Sequence, residues 1–283
     1  MLAYRERDGF GTRLFRALAP TLRYWMQTEV HVYAFSIAAN VLLSFFPFLI
    51  VSLSLSRLFF DRRTAVDAID FALHDYFPNV FSEFLVKHLP GRRTPEVLSI
   101  LLLLFTANGI FEPLEVALNR VWGIAKNRSF LRNQLVSLSL IFVCGGLALL
   151  SLGFAAANHD SLSGNPVRIW TAKLFLKLAV APVTAVILLL VYRFLPNGKP
   201  PFKRVVPAAI AVGLLLELLK YLVALVWPWF DAKLEDEYGI FRYSASLVFL
   251  AFFASMLVLA GAEWAARGHR FDRPEIAVKE GAD

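Results

Sequence analysis

The sequence VYAFSIAANVLLSFFPFLIVSLSLS occupies residues 32–56 and contains no Asp, Glu, Lys or Arg. A helix rises about 1.5 Å per residue, so roughly 20 apolar residues cross a hydrocarbon layer of about 30 Å. A helix also satisfies its own backbone amides, which lipid tails cannot do. The apolar core of a cleavable signal peptide is shorter, at about 7 to 15 residues. We therefore interpret residues 32–56 as an uncleaved transmembrane helix.

Five further apolar stretches of similar length follow, at residues 97–119, 135–157, 171–194, 205–228 and 244–266. The pattern predicts an all-α fold, a polytopic membrane bundle of six transmembrane helices with additional amphipathic helices at the interface. We divide the chain into a cytoplasmic amphipathic segment at 1–30, a membrane domain at 31–266 with an outer amphipathic insertion at 58–96, and a cytoplasmic tail at 267–283 that we expect to be disordered.

The composition agrees with a membrane protein, because 58% of the residues are hydrophobic and 18% are charged. Soluble domains carry about 25% charged residues. The net charge is +7, but the basic residues are spread over the connecting segments and form no single basic face. This distribution argues against nucleic-acid binding. Cys144 is the only cysteine, which excludes an intrachain disulfide and a cysteine metal site.

The distribution of Lys and Arg predicts the orientation. The segments on the side of the N-terminus hold 17 of these residues, and the segments on the other side hold eight. Cytoplasmic loops of membrane proteins carry the excess of Lys and Arg. We therefore expect a multi-pass membrane protein with both termini in the cytoplasm.

Two segments have the pattern of amphipathic helices. Residues 64–89 carry apolar side chains three to four positions apart with acidic residues between them, and Pro78 interrupts the pattern. They form either an interfacial helix pair that covers the bundle or a lid over a lateral opening. In residues 1–30, basic and apolar side chains alternate at helical spacing, which is typical of a helix on the anionic inner leaflet.

Polar residues inside the first span form one stripe, with Asn40 and Ser44 four residues apart and Pro47 three residues later. Proline has no amide hydrogen, so the carbonyl of Leu43 loses its helical partner and a kink is expected. The Ser44 hydroxyl is positioned to satisfy that carbonyl. The stripe is either a structural kink at a helix contact or part of a polar pathway.

The second span carries polar residues on one face, at spacings of four, three and four: Asn108, Glu112, Glu115 and Asn119. Gly109 and Pro113 are predicted to distort the same helix. Glu112 is expected roughly 22 Å from the outer boundary at 1.5 Å per residue, and Glu115 at the solvated inner interface.

The fifth span places Glu217 and Lys220 on one face near the middle of the membrane. A charged side chain there costs at least about 2.5 to 3.5 kcal/mol, so it must be paired, protonated or in contact with water. A closed structural pair and a polar pathway both fit the sequence. Gly and Pro interruptions in a polar helix are typical of transporter binding sites.

Several ordered motifs resemble the YihY/BrkB family of bacterial inner-membrane proteins: AFSIAAN at 34–40, LSFFP at 43–47, LNRVW at 118–122, RFLP at 193–196, ELLK at 217–220, YGIF at 238–241 and LAGAE at 259–263. Asn40 departs from the bulky residue that the family commonly has there. The resemblance implies a six-span envelope protein, historically labelled ribonuclease BN and linked to serum resistance and envelope integrity. It brings no settled catalytic residues.

The five histidines lie in different segments without the spacing of metal ligands, at His31, His74, His88, His159 and His269. A metal-dependent nuclease would need such ligands clustered where RNA can reach them. We therefore expect no enzyme activity, no cofactor and no metal.

The sequence leaves three hypotheses. The first is a transporter or flippase of a lipid-like or amphipathic envelope molecule, the second a non-transporting scaffold that binds another envelope protein, and the third a membrane enzyme acting on lipid. The partners that the sequence permits are membrane lipids, a lipid-like substrate and a second copy of the chain. The candidate pathway consists of Asn40, Ser44, Asn108, Glu112, Glu115, Asn119, Glu217 and Lys220, and the candidate kinks are Pro47, Gly109 and Pro113.

Overall fold

The computed structural model describes residues 19–56, 58–59, 61–74, 97–125, 130–157 and 182–267. Most of these residues are α-helical, and none of them lies in a β-strand. The helices are α1 at 19–25, α2 at Thr28–Ser56, α3 at Arg62–His74, α4 at Val97–Trp122, α5 at Phe130–Ala157, α6 at Pro182–Phe194, α7 at Phe202–Tyr238 and α8 at Arg242–Ala266.

Among the described residues, five helices are long and apolar enough to cross a membrane, namely α2, α4, α5, α7 and α8. This confirms the predicted all-α membrane bundle. Of the stretch predicted at 171–194, the structure describes the shorter apolar helix α6, and residues 171–181 lie outside the described residues. Most of the segment at 1–30, residues 75–96 of the amphipathic insertion and nearly all of the tail also lie outside them.

Residues 229–243, which the stretches predicted at 205–228 and 244–266 leave as a connecting loop, are mostly helical, which corrects that prediction. Helix α7 continues to Tyr238, and a single 3-10 turn at Gly239–Phe241 leads directly into α8. Loss of apolar character marks where a helix leaves lipid, whereas the helix itself can continue into water. Lys233 pairs with Glu237 one turn later at 2.8 Å, and Leu234 is buried. Gly239 ends the helix with a φ of 53°, which a residue with a Cβ rarely adopts.

Helix α2 is central to the bundle, since it packs against α4 on one side and α8 on another. Helix α7 packs along α8, while α5 contacts α3 and α4. In the part of the chain that the structure describes, the buried apolar side chains form two hydrophobic clusters. The first includes Trp122, Tyr192 and Leu259, and the second joins α2, α3, α7 and α8 through residues such as Leu49, Ile69, Trp227 and Leu247.

The ends of several helices meet at one end of the bundle, which we call the basic end because it carries Arg120, Arg204 and Arg267. Arg120 of α4 pairs with Glu29 at the start of α2. Arg204 at the start of α7 donates to the backbone carbonyl of Arg267, directly after α8. Helices α2 and α7 therefore begin where α4 and α8 end, as the alternating direction of the predicted spans requires.

Candidate functional site

The two hydrophobic clusters meet half way along the bundle, and polar side chains lie at that boundary. On α2, Val41 contacts both clusters, with Asn40 and Ser44 on either side of it. On α7, Leu216 packs against the first cluster and Val223 against the second. Glu217 and Lys220 lie between these two positions. We call Asn40, Ser44, Glu217 and Lys220 the central polar zone, because the two pairs share this level on two different helices.

The depth of this zone follows from the helix rise. At about 1.5 Å per residue, Asn40 lies roughly 18 Å from the start of α2 and Glu217 roughly 22 Å from the start of α7. Both helices begin at the basic end, so both residues fall well inside a hydrocarbon layer of about 30 Å.

Glu217 and Lys220 form an ion pair across 2.5 Å, which is one of the two arrangements that the sequence left open. Their side chains are 26% and 13% exposed, so the pair is largely covered. The surrounding stretch of α7 is different, because no residue from Leu214 to Val226 is buried. The same helix buries residues between Val205 and Gly213 and again at Trp227. The pair therefore lies on the partly covered side of an otherwise open stretch.

Asn40 and Ser44 bond to their own helix. The Asn40 amide Nδ2 donates to the Ser36 carbonyl at 2.9 Å, and its Oδ1 lies directly against Gly109 of α4. The Ser44 hydroxyl donates to the Val41 carbonyl at 3.1 Å, which corrects the expectation that it satisfies Leu43. A serine hydroxyl reaches the carbonyl three or four residues before it, whereas Leu43 directly precedes Ser44.

The four polar residues of α4 have helical spacing, but they do not share one environment. Glu115 is 5% exposed, so the expectation that it is solvated is wrong. Asn119 donates to the Glu115 carboxylate at 3.4 Å and accepts from the backbone N–H of Asn197 at 2.7 Å. The segment after α6 covers this part of the stripe. Glu112, in contrast, is exposed.

Asn108 lines a cavity of about 320 Å³ between α4 and α5. The other lining residues are Leu104, Gln134, Leu135, Leu138 and Ile141. The walls are therefore mostly aliphatic, with two carboxamides among them. Gln134 was missed by the sequence analysis because it stands one position before the stretch predicted at 135–157. Its polarity next to an apolar run was the available signal.

Within the described ranges, no three His, Cys, Asp or Glu side chains come together as metal ligands would. The assignment of the eight pathway residues stays a prediction, as do the three kinks. Pro47, Gly109 and Pro113 all lie within continuous helices.

The fold and the charged pair at membrane depth define the class of protein, a polytopic α-helical membrane protein. The family model described as Virulence factor BrkB matches residues 21–280. The chain belongs to this family, which confirms the resemblance inferred from its motifs.

Curated relatives carry the name UPF0761 membrane protein. The chain is 25% identical to that of Chlorobium luteolum over 91% of its own length and 61% of the relative. It is 25% identical to that of Pseudoalteromonas translucida over 91% of its own length and 90% of the relative. With that of Alcanivorax borkumensis it shares 30% identity over 67% of its own length and 45% of the relative. No solved structure matches the chain.

Proposed function

We propose that the protein moves a lipid-like or amphipathic envelope molecule across the bacterial inner membrane. The observation that carries the proposal is the Glu217–Lys220 pair at membrane depth, on a stretch of α7 without buried residues. An ion pair in this position has hydrocarbon on one side and the boundary between two hydrophobic clusters on the other.

The ion pair and the apolar open side of α7 together suit an amphipathic molecule, which has a polar part and an apolar part. Its charged or polar part exchanges water for the carboxylate and ammonium groups of the pair, which lowers the cost of entering the bilayer. Its apolar part remains in lipid along the open side of α7. The cavity at Asn108 has the same dual character, with aliphatic walls and two carboxamides. Asn40, Ser44 and Glu112 extend the proposed path on α2 and α4.

The proposed orientation has the basic end in the cytoplasm. This end carries Arg120, Arg193, Lys203, Arg204 and Arg267, whereas the segment around the α7–α8 junction is acidic. Lys and Arg are retained on the cytoplasmic side of membrane proteins. In this proposed orientation both termini lie in the cytoplasm. We propose no enzyme activity for the chain.

The proposal is tested in vesicles of phosphatidylethanolamine and phosphatidylglycerol that hold the purified protein and a trace of NBD-labelled phosphatidylethanolamine. Dithionite bleaches the outer leaflet alone unless lipid crosses during the assay. We expect the wild-type protein to expose inner-leaflet lipid and Glu217→Gln to slow this step. Lys233→Gln serves as the control, because it opens an exposed ion pair outside the polar zone. Bleaching limited to the outer leaflet with the wild-type protein would contradict the proposal.

The alternative is a membrane scaffold that binds another envelope protein. It is favoured by the closed geometry of the Glu217–Lys220 pair and by the bonding of Asn40 within its own helix. A variant carrying Glu217→Lys and Lys220→Glu together distinguishes the two functions. A structural pair survives the exchange of charges with its envelope phenotype intact. A pathway that recognises the charge of its substrate keeps the protein level but loses lipid movement.

A further inference from the structure

Glu112 places a carboxylate on a side of α4 that is otherwise apolar. It is exposed, and the exposed residues Phe105 and Val116 share its side of the helix, since they stand seven positions before it and four positions after it. Glu112 lies ten residues before the end of α4 at Trp122, or roughly 15 Å at about 1.5 Å per residue. In a hydrocarbon layer of about 30 Å, this carboxylate therefore lies well below the membrane surface.

The Glu112 carboxylate has no ion pair and no side-chain hydrogen bond in the part of the chain that the structure describes. Arg120, eight positions later on α4, pairs with Glu29 instead. Arg132, near the start of α5, is exposed and does not pair with Glu112. An unpaired ionised group is unfavourable inside a membrane, and such groups mark places where a substrate or an ion is bound. A positively charged group that reaches Glu112 would remove this cost.

Glu112 stands at the rim of the cavity between α4 and α5. It follows Asn108, which lines the cavity, by four positions, so both side chains lie on one face of α4. Helical side chains lean toward the N-terminal end of their helix, which brings the Glu112 carboxylate toward Asn108. None of the described residues that line the cavity is charged. Glu112 therefore sets the charge of this site.

The lining of the cavity suits a headgroup that donates hydrogen bonds and carries an apolar chain. The carboxamides of Asn108 and Gln134 form no side-chain hydrogen bond with another described residue, and each has an oxygen that accepts. Leu135 and Leu138 are exposed, so the aliphatic wall of the cavity continues into the outer surface of the bundle. The volume of about 320 Å³ is about ten times the roughly 30 Å³ of one water molecule in the liquid, which leaves room for a small headgroup.

From these observations we infer that Glu112 and the α4–α5 cavity bind the primary ammonium headgroup of a membrane amphiphile. The ammonium group pairs with the Glu112 carboxylate and donates its other hydrogens to the carboxamide oxygens of Asn108 and Gln134. The source is an amphiphile and not a soluble amine, because the walls are aliphatic and open onto the apolar surface. The inference rests on the proposed function and deepens it, since it assigns the charge of the headgroup that is moved.

Native mass spectrometry of the purified full chain in detergent tests the inference with three probes. The first is dioleoyl phosphatidylethanolamine. The second is its N-acetyl derivative, which keeps the phosphate and both acyl chains but has no ammonium group, and the third is ethanolamine alone. Glu112→Gln removes the carboxylate and keeps the size of an exposed side chain. Glu237→Gln is the matched control, because it removes an exposed carboxylate at the junction of α7 and α8.

We expect the wild-type protein and the Glu237→Gln control to bind phosphatidylethanolamine about tenfold more tightly than its N-acetyl derivative, since one charge-assisted hydrogen bond is worth about that factor. Glu112→Gln should bind the two lipids equally. Equal binding of both lipids by the wild-type protein, or the same preference in Glu112→Gln, would overturn the inference. Ethanolamine that binds as tightly as phosphatidylethanolamine would also overturn it, because the source would then be soluble. A dimer of the wild-type protein that is lost in Glu112→Gln would overturn it in favour of a second copy of the chain against Glu112.

This inference and the proposed function can fail separately. Lipid movement in the dithionite assay without a preference for the ammonium group would contradict the inference and leave the proposed function standing. A preference for the ammonium group without lipid movement would support a lipid-binding site at Glu112 and contradict the proposed function.

Discussion

Replacing Gly261 by alanine should destabilise the contact between α7 and α8 that holds the basic end together. A Cβ added at Gly261 would overlap Cγ2 of Val212 and would lie 2.8 Å from the Tyr192 hydroxyl oxygen. Val212 and Tyr192 are both at most 1% exposed, so neither side chain has free space to move into.

The size of the effect follows from two opposing terms. Alanine in a helix interior gains about 0.8 to 1 kcal/mol over glycine. An extra methyl group in a packed core costs about 1 to 3 kcal/mol. The suitable control is Gly213→Ala on α7, because the new Cβ would lie at an ordinary 3.7 Å from the Ala185 Cβ. Both variants have the same backbone gain, so the difference between them, about 1 to 3 kcal/mol, measures the overlap alone.

Thermal unfolding of the purified protein in detergent, followed by circular dichroism, measures this difference. A change of 1 kcal/mol shifts the Tm of a domain of 150 to 250 residues by roughly 2 to 4 °C. We expect Gly261→Ala to melt several degrees below the wild-type protein and Gly213→Ala to melt at or above it. Equal melting of the two variants would refute the close approach of α7 and α8 at Gly261.

Two further predictions concern hydrogen bonds. The Tyr192 hydroxyl donates a hydrogen bond to the Val258 carbonyl at 2.6 Å, and Tyr192→Phe removes this bond. The loss should lower the free energy of unfolding by about 1 kcal/mol. An unchanged Tm in the same melting assay would contradict this prediction. Asp61 accepts from the Thr64 hydroxyl at 2.6 Å and from the Thr64 backbone N–H at 3.2 Å at the start of α3, and these bonds lower the pKa of its carboxyl. The cap therefore stabilises α3 fully above the ordinary Asp pKa of about 3.9 and loses this effect as the pH falls through the lowered value. At pH 7, amide hydrogen exchange at the start of α3 should be faster in Asp61→Ala than in the wild-type protein. Asn also caps helices, so Asp61→Asn should keep these amides protected, and its protection should not change as the pH falls through the Asp61 pKa.

The spans could be predicted from the sequence because their signal is local. The ends of α2 at Ser56 and α8 at Ala266 coincide with the ends of the apolar stretches. The same signal missed residues 229–238 of α7, since apolar character reports where lipid ends and not where a helix ends. Capping at Gly239 depends on backbone conformation, which the apolar pattern does not contain.

The candidate site could also be predicted only in part. The closeness of Glu217 and Lys220 could be predicted because both residues belong to one helix and their distance follows from their spacing, whereas the choice between a closed pair and a polar pathway could not. The different environments of Glu112 and Glu115 could not be predicted, although the two residues are only three positions apart. The backbone of Asn197, 78 positions after Asn119, covers the buried end of that stripe. Packing between residues this far apart in the chain cannot be predicted from the local sequence.

Water access to the central polar zone is the most direct test of the proposed path across the membrane, and the single native cysteine makes the measurement practical. In a Cys144→Ala background, Lys220→Cys and Leu225→Cys are labelled in membranes with a charged methanethiosulfonate. Leu225 is 78% exposed on the open side of α7 and should face lipid tails, where no thiolate forms. We expect labelling of Lys220→Cys and protection of Leu225→Cys. Protection of both positions would contradict the proposed path, because the polar zone would then be a dry structural contact.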